Sequence, residues 1–192
     1  RITGFAAANI GKDVEIRYIH PLSPMQSGML YHWLKNRGDN AYFEQVVLKI
    51  GGEIDRPGLV KSVNRLVERH DILRTLFSYE GLEEPLQIVL KERKVDLYYE
   101  DISHLSGAEA RLYLEEFEGK DRERGFDLTV DMLMRLALFK TGPGLYRLVW
   151  SFHHIIMDGW CLGIIYRELM QIYGALKAGE PANLESVIPY KN

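Results

Sequence analysis

Residues 152–160 read FHHIIMDGW, and they join two segments of different periodicity. The segment before them, 145–152, is rich in aromatic and branched apolar residues and predicts a strand. After them, apolar residues recur every three or four positions over 159–178, which predicts a helix that stops at Gly179. Because α/β proteins often place reactive groups where a strand leads into a helix, this junction is the first candidate functional site.

His153 and His154 are candidates for proton transfer, because imidazole titrates close to neutral pH. Adjacent strand residues point to opposite faces, so we expect only one ring to reach a substrate and the other to be structural. Asp158 stands where a carboxylate could cap the next helix or pair with a cation. Gly159 would let the backbone pass close to a substrate or take a positive φ.

Residue chemistry alone leaves other interpretations open. Structural roles for both histidines fit the pattern equally well. A metal site is disfavoured, since adjacent strand histidines diverge and no further ligand cluster stands nearby. Ser151 lacks the Gly-x-Ser-x-Gly pattern of a nucleophile elbow. Trp160 and Cys161 are expected to be buried, where this helix packs against the protein core.

The rest of the chain alternates between strand and helix patterns, which predicts a mixed α/β fold. A Gly-Pro-Gly turn at 142–144 predicts a hairpin between the last two strands. Leu112 and Leu114 are expected to anchor an otherwise exposed helix. Strands are expected over 14–19, 42–50, 73–79, 86–91, 95–100, 132–140 and 145–152, and helices over 23–35, 55–70, 107–118 and 159–178.

The composition is that of an ordinary globular protein and excludes intrinsic disorder, with 46% hydrophobic and 27% charged residues. The net charge of −3 gives no reason to expect nucleic acid or a membrane surface as partner. No apolar run is long enough for a transmembrane helix, and the first residues lack a signal-peptide pattern. The single cysteine cannot form an intrachain disulfide, so a cytoplasmic location is expected.

Residues 153–159 resemble the His-His-x-x-x-Asp-Gly active-site signature of condensation domains of nonribosomal peptide synthetases. Three more segments resemble core motifs of that family, in the family's order: 22–32, 69–77, and 126–128 with 133–135. In the second of these, Asp71 stands where Glu is commoner. The resemblance covers residues 14–192 and implies an α/β fold, a chloramphenicol-acetyltransferase-like lobe with a mixed β-sheet packed against helices.

The resemblance also implies a domain organisation. Residues 1–13 look like the linker from an upstream carrier protein, and 14–192 like the N-terminal lobe of a condensation domain, with the C-terminal lobe absent. Because the family's reaction tunnel runs between the two lobes, the fragment alone is expected to be inactive. The implied partners are donor and acceptor peptidyl carrier protein domains, the C-terminal lobe and a neighbouring adenylation domain.

In the family, the amine of an acceptor aminoacyl thioester attacks a donor acyl or peptidyl thioester, both carried on phosphopantetheine arms. The domain itself is expected to bind no metal or other cofactor. By resemblance, His154 is the catalytic histidine, as base or as anchor for the amine, and His153 is structural. Asp158 would hold the loop through an arginine of the second lobe, and Gly159 would bring its N–H near the substrate. Arg74 would support the loop near the tunnel or, in the favoured interpretation, form a salt bridge.

Two alternatives remain. One is a non-catalytic lobe that docks a carrier protein, and the other is a coenzyme-A-dependent acyltransferase of the same fold, which the first two motifs fit poorly. Within the family, Gly159 favours condensation over epimerization, because epimerization domains usually lack Gly after the signature Asp. The histidine pair argues against a heterocyclization domain, in which Asp residues replace it.

Overall fold

The computed structural model describes residues 15–36 and 40–187 of the 192-residue chain. The expected linker, residues 1–13, lies outside the described residues. The strands are β1 (Ile16–Pro21), β2 (Phe43–Gly51), β3 (Thr75–Ser78), β4 (Leu86–Leu90), β5 (Leu97–Asp101), β6 (Met134–Gly142) and β7 (Leu145–His153). The helices are α1 (Pro24–Lys35), α2 (Arg56–Arg69), α3 (Gly107–Arg124) and α4 (Gly159–Ala178), and a 3₁₀ turn spans Asp71–Arg74.

The expected mixed α/β architecture is confirmed, and most strand and helix ends lie within two residues of the prediction. The largest difference is in helix α3, which runs six residues past the expected end at 118, to Arg124, and is capped by Gly125 with a positive φ. Its last turns carry charged side chains without apolar periodicity, and Arg122 and Arg124 there complement the helix dipole. Residues 73 and 74 belong to the 3₁₀ turn rather than to a strand.

The larger sheet has the strand order β2–β7–β6–β5. β2, β7 and β6 pair antiparallel, whereas β5 runs parallel to β6, so the sheet is mixed. The predicted hairpin joins β6 to β7, and Gly144 takes the positive φ that the turn requires. The smaller sheet, β1–β4–β3, is antiparallel throughout.

Both faces of the larger sheet are covered, as the alternation of side chains along β6 and β7 requires. One face packs against α2 and α4 and forms the main core. The other face packs under α3 and forms a second core. The main core takes Leu136, Leu138, Leu148 and Trp150 from these strands, and the second takes Ala137, Phe139 and Val149.

Helices α2 and α4 are tied together by a polar contact at the edge of the main core. Glu168 on α4 is buried, and its carboxylate accepts from Arg69 Nε at 2.9 Å. The same carboxylate lies 2.6 Å from His70 Nε2, just after α2. Since a buried carboxylate is costly unless it is paired, this contact fixes how the two helices pack. None of the described helices is long and apolar enough to cross a bilayer.

We predict a large difference between two leucines of α3. Leu114 is 7% exposed in the second core, whereas Leu112, expected to be an anchor, is 61% exposed. Leu114→Ala should lower the free energy of unfolding by about 2–5 kcal/mol, because it leaves a cavity under α3. Leu112→Ala, the matched control, should change it by less than about 0.5 kcal/mol. Urea unfolding followed by circular dichroism measures both, and equal losses would contradict this packing of α3.

Candidate active site

The last pair of the β2–β7 ladder joins Phe43 to His153 and places the histidine pair. The His153 amide donates to the Leu133 carbonyl at 3.0 Å, and the His154 amide donates to the Tyr42 carbonyl at 2.8 Å. Neighbouring amides thus bind strands on opposite sides of β7. β7 ends at His153 and His154 begins the turn that follows, so the backbone of both residues is fixed where the strand ends.

His153 lies in the protein interior and is 3% exposed. Its ring lies between Tyr42 and Phe126, with centroid distances of 6.0 and 6.5 Å. The Ile155 amide donates to Nδ1 at 3.1 Å, so the neutral ring carries its proton on Nε2. Burial, reinforced by the nearby His154, lowers the pKa of His153 to about 4. A neutral, enclosed ring of this kind supports the loop and does not reach a substrate.

His154 is half-buried, and its side chain is 31% exposed. Nδ1 is fully buried and has no hydrogen-bond partner among the described residues. The Glu44 Oε1 atom lies 4.0 Å from it. Since Nδ1 is enclosed, the exposed part of the ring is the opposite edge, which carries Nε2. His154 thus presents one nitrogen to solvent and hides the other.

That edge opens on a cavity of about 600 Å³ between the loop 154–158 and the smaller sheet. The start of α1 and the 3₁₀ turn close its sides. Part of the wall is apolar, and charged side chains such as Arg17, Glu68 and Asp71 line it together with histidines and glutamines. Met29, Ile72, Val89 and Met157 are among the apolar lining residues, and His20 and Gln87 are among the polar ones.

Asp158 is the N-cap of α4. Its Oδ1 atom accepts from the Cys161 amide at 2.8 Å, and this bond is the main reason why the pKa of the carboxyl is lowered. The structure therefore agrees with the helix-cap interpretation, and pairing with an arginine of a second lobe stays a prediction. Gly159 does not take a positive φ, so that alternative is wrong. A Cβ at Gly159 would meet no atom within 4 Å, which leaves its backbone open to approach.

Arg74 forms the salt bridge that sequence analysis favoured, and it does more than that. The guanidinium is fully buried and pairs with Asp71. It also donates to the carbonyls of Val67, Glu68 and Leu90 at 2.8 Å each. Burial lowers the pKa of Arg74, and Asp71 opposes that shift. Arg74 thereby holds the end of α2 against β4 and shapes the turn at the cavity wall.

Gln26 connects α1 to the histidine loop, a role that sequence analysis did not assign. It forms a reciprocal capping box with Ser23 at the start of the helix. Its Nε2 atom donates to the Ile155 carbonyl at 3.4 Å and to Gln87 Oε1 at 3.5 Å. The Ser-x-x-Gln spacing before an apolar helix is the signal that could have indicated the capping box.

Trp160 and Cys161 are exposed, so the prediction that they lie in the core is wrong. Trp160 is 87% exposed because it stands in the first turn of α4, before the helix reaches the core. The buried face of α4 follows Ile165, Leu169 and Ile172. Five residues before Ile165 is about 140° around the helix axis, away from that face.

The residues that the structure describes contain no group of three His, Cys, Asp or Glu side chains able to hold a metal ion. Ser151 is also accounted for structurally. Its hydroxyl lies 2.5 Å from Asp121 Oδ2 in a network that includes Arg135 and Gln45. This network joins α3 to the larger sheet, on the far side from the cavity.

Comparison with known proteins adds the family context. The model of the condensation-domain family matches residues 16–192. A linear gramicidin synthase of Brevibacillus parabrevis is 49% identical over 90% of this chain, and gramicidin S synthase 2 of Brevibacillus brevis is 46% identical over 94%. The chain spans only 3% and 4% of the length of these two relatives.

Solved structures show the same fold. The first condensation domain of the CDA synthetase superposes with a TM-score of 0.79 at 20% identity. The match covers 88% of this chain and 42% of that one. The lobe described above is therefore a chloramphenicol-acetyltransferase-like α/β lobe, as expected.

We predict that His153 makes stability depend on pH. Its pKa is about 4 when folded, against about 6.5 unfolded, so between these values the unfolded state binds more protons. The free energy of unfolding should therefore fall as the pH drops from about 6.5 to about 4, by roughly 3 kcal/mol from this group. Urea unfolding over that range measures it.

His153→Asn tests the source of this slope, because its amide oxygen can still accept from the Ile155 amide while the titrating ring is lost. The variant should lose most of the slope. His32→Gln, at an exposed histidine of α1, is the control for loss of any imidazole. A full slope in His153→Asn would show that another group is responsible.

We predict that Asp158 stabilises the start of α4 as an N-cap. Asp158→Ala should lower the melting temperature, whereas Asp158→Asn should retain most of it, because Asn caps helices about as well as Asp. Thermal unfolding measures both. Equal losses in the two variants would mean that the charge, rather than the capping bond, holds the loop.

Proposed function

This chain belongs to the condensation-domain family, and we propose that it contributes the His154 wall of an amide-forming site in nonribosomal peptide synthesis. The substrates would be a donor acyl or peptidyl thioester and an acceptor aminoacyl thioester, each on the phosphopantetheine arm of a carrier protein. The observation that carries the proposal is His154, half-exposed at the cavity with its Nδ1 enclosed.

In the proposed reaction, the acceptor amine attacks the carbonyl carbon of the donor thioester. A C–N bond forms and the C–S bond breaks. The amine loses a proton, and the departing thiolate gains one, so the products are an amide on the acceptor arm and a thiol on the donor arm. His154 Nε2 would accept the first proton and return it to the sulfur.

His154 could serve the same reaction as an anchor for the amine. A free α-amine has a pKa of about 7.7–8.0, so a useful fraction is neutral near pH 7 without a base. Holding the two thioesters together could then supply much of the rate, since orientation replaces a bimolecular encounter. Both roles need the exposed edge of the same ring, and loss of the imidazole removes either.

The neighbouring residues have supporting roles in this proposal. The neutral ring of His153 would stabilise the loop from the protein interior, and Arg74 would stabilise the cavity wall. Asp158 would cap α4 and keep its carboxylate near the loop, where an arginine of a second lobe could pair with it. Gly159, with open space beside its Cα, would let its N–H approach the substrate.

We further propose that residues 14–192 form the N-terminal lobe of a two-lobed domain. The match to 42% of a solved condensation-domain chain supports this size relation. The other wall of the site would come from the C-terminal lobe, and the partners would be donor and acceptor carrier proteins with a neighbouring adenylation domain. No metal is proposed.

The test is single-turnover transfer between loaded donor and acceptor carrier proteins, catalysed by the two-lobed domain that contains this chain. His154→Ala should slow transfer by roughly 10²-fold or more, as for the loss of a positioned acid–base group. His32→Ala, the matched control at an exposed histidine of α1, should leave the rate unchanged. The 192-residue chain by itself should give no transfer.

Unchanged transfer in His154→Ala would contradict the proposed function. If carrier protein still bound to that variant, the alternative of a non-catalytic docking lobe would be favoured instead.

A further inference from the structure

We propose that Glu44 positions His154 by accepting a hydrogen bond from Nδ1, so that Nε2 is unprotonated toward the cavity. The catalytic consequence rests on the proposed function, whereas the contact itself does not. Glu44 would not touch a substrate, and it would act only through the imidazole.

Glu44 is the second residue of β2. Val46, Leu48 and Ile50 lie on the face of the sheet that packs against the main core. Glu44 continues this alternation and stands opposite Phe152 in the ladder. Its side chain is 50% exposed, so the carboxylate lies at the solvent edge of this face, beside the histidine loop, and not in the core.

The Nδ1 atom of His154 is buried. Buried polar atoms in proteins nearly always have a hydrogen-bond partner, and His154 Nδ1 has none among the described residues. Glu44 Oε1 lies 4.0 Å away, about 1 Å beyond a hydrogen bond. The Tyr42 carbonyl, two residues earlier on the chain, already binds the His154 amide, so backbone and side chain face the same strand. Because the Glu44 side chain is half-exposed, a change of rotamer can close this gap without disturbing the core.

Other polar groups of the histidine loop and its neighbours are engaged elsewhere. The Asp158 carboxylate accepts from the Cys161 amide as a helix cap. His153 is neutral, since burial lowers its pKa to about 4, and its Nδ1 accepts from Ile155. Gln26, from α1, donates to the Ile155 carbonyl. Among the described residues, Glu44 is the one whose carboxylate comes within 4.0 Å of a His154 ring nitrogen.

The chemical consequence is the choice of tautomer. In water, a neutral histidine carries its proton mainly on Nε2. A carboxylate that accepts from Nδ1–H reverses this preference and leaves the lone pair on Nε2. A lone pair directed into the cavity can accept a proton or a hydrogen bond from an amine, whereas an Nε2–H group cannot.

The experiment is a long-range ¹H–¹⁵N correlation spectrum of the imidazole rings in the ¹⁵N-labelled 192-residue chain, at a pH at which they are neutral. The His154 signals are assigned by their loss in His154→Gln. In the unmodified chain we expect the Nδ1–H tautomer. Glu44→Ala should convert His154 mainly to the Nε2–H tautomer, and Glu84→Ala, at an exposed glutamate of the turn before β4, should not.

Glu44→Leu is a second variant that cannot accept a hydrogen bond, and a substitution at this half-exposed position should leave the fold intact. It should cause the same conversion as Glu44→Ala. An Nε2–H tautomer in the unmodified chain, or no conversion in either Glu44 variant, would overturn the proposal. So would conversion in Asp158→Asn alone, because it would assign the contact to Asp158.

The spectra are independent of transfer activity, so the two proposals can fail separately. In the two-lobed domain, Glu44→Leu should lower kcat by roughly 10- to 100-fold with little change in KM, as for other residues that orient an imidazole. If the Glu44 variants convert the His154 tautomer but His154→Ala keeps full transfer activity, the contact between Glu44 and His154 is supported. The proposed function is then refuted.

Discussion

The hydrogen bond from the His154 amide to the Tyr42 carbonyl, at the end of the β2–β7 ladder, is the constraint on which the site depends. It closes a register that runs without a break from Gly51 and Leu145 to Phe43 and His153. A slip of one residue would move every side chain of β7 to the other face of the sheet. It would then exchange the environments of the two histidines, and the apolar residues of β7 would lose their cores. The packing of the whole sheet therefore fixes the positions of the His153 and His154 rings.

The loop after β7 is held from several sides. His153 supports it from the interior through the Ile155 amide, Asp158 ends it as the cap of α4, and Gln26 ties it to α1. Two of these contacts bind the backbone of Ile155 and the third joins the end of the loop to α4, so side chains such as His154 project from a fixed backbone. A site that works by orientation needs this rigidity, because effective molarity is lost when reacting groups are misplaced.

Much of this arrangement was predictable from the sequence, for identifiable reasons. β6, β7 and their hairpin follow from apolar content and turn residues, and the bounds of α4 follow from periodicity. Different surroundings for His153 and His154 were expected because adjacent strand residues point to opposite faces. Trp160 was misplaced because a periodic pattern does not tell where a helix first meets the core. The end of α3 was missed because its charged last turns carry no apolar signal.

The contacts of Arg74 and Glu44 needed coordinates, since Arg74 binds carbonyls 6, 7 and 16 residues away, and Glu44 lies near a ring 110 residues further along the chain (154 − 44). An arginine that binds three carbonyls and a glutamate on an apolar face look like ordinary surface charges in a sequence. Two of the three carbonyls come from the end of α2 and the third from β4, and Glu44 reaches a ring on a distant part of the chain.

The adjacent histidines occupy opposite environments: His153 is enclosed, and His154 faces the cavity. Acylation by diethyl pyrocarbonate tests it directly, because the reagent needs access to an unprotonated imidazole nitrogen. The folded chain is treated near neutral pH and the modified positions are read by tandem mass spectrometry, with the urea-unfolded chain as reference. We expect His154 to be modified in the folded chain and His153 to be protected until the chain unfolds. Modification of His153 in the folded chain, or equal modification of both, would contradict it.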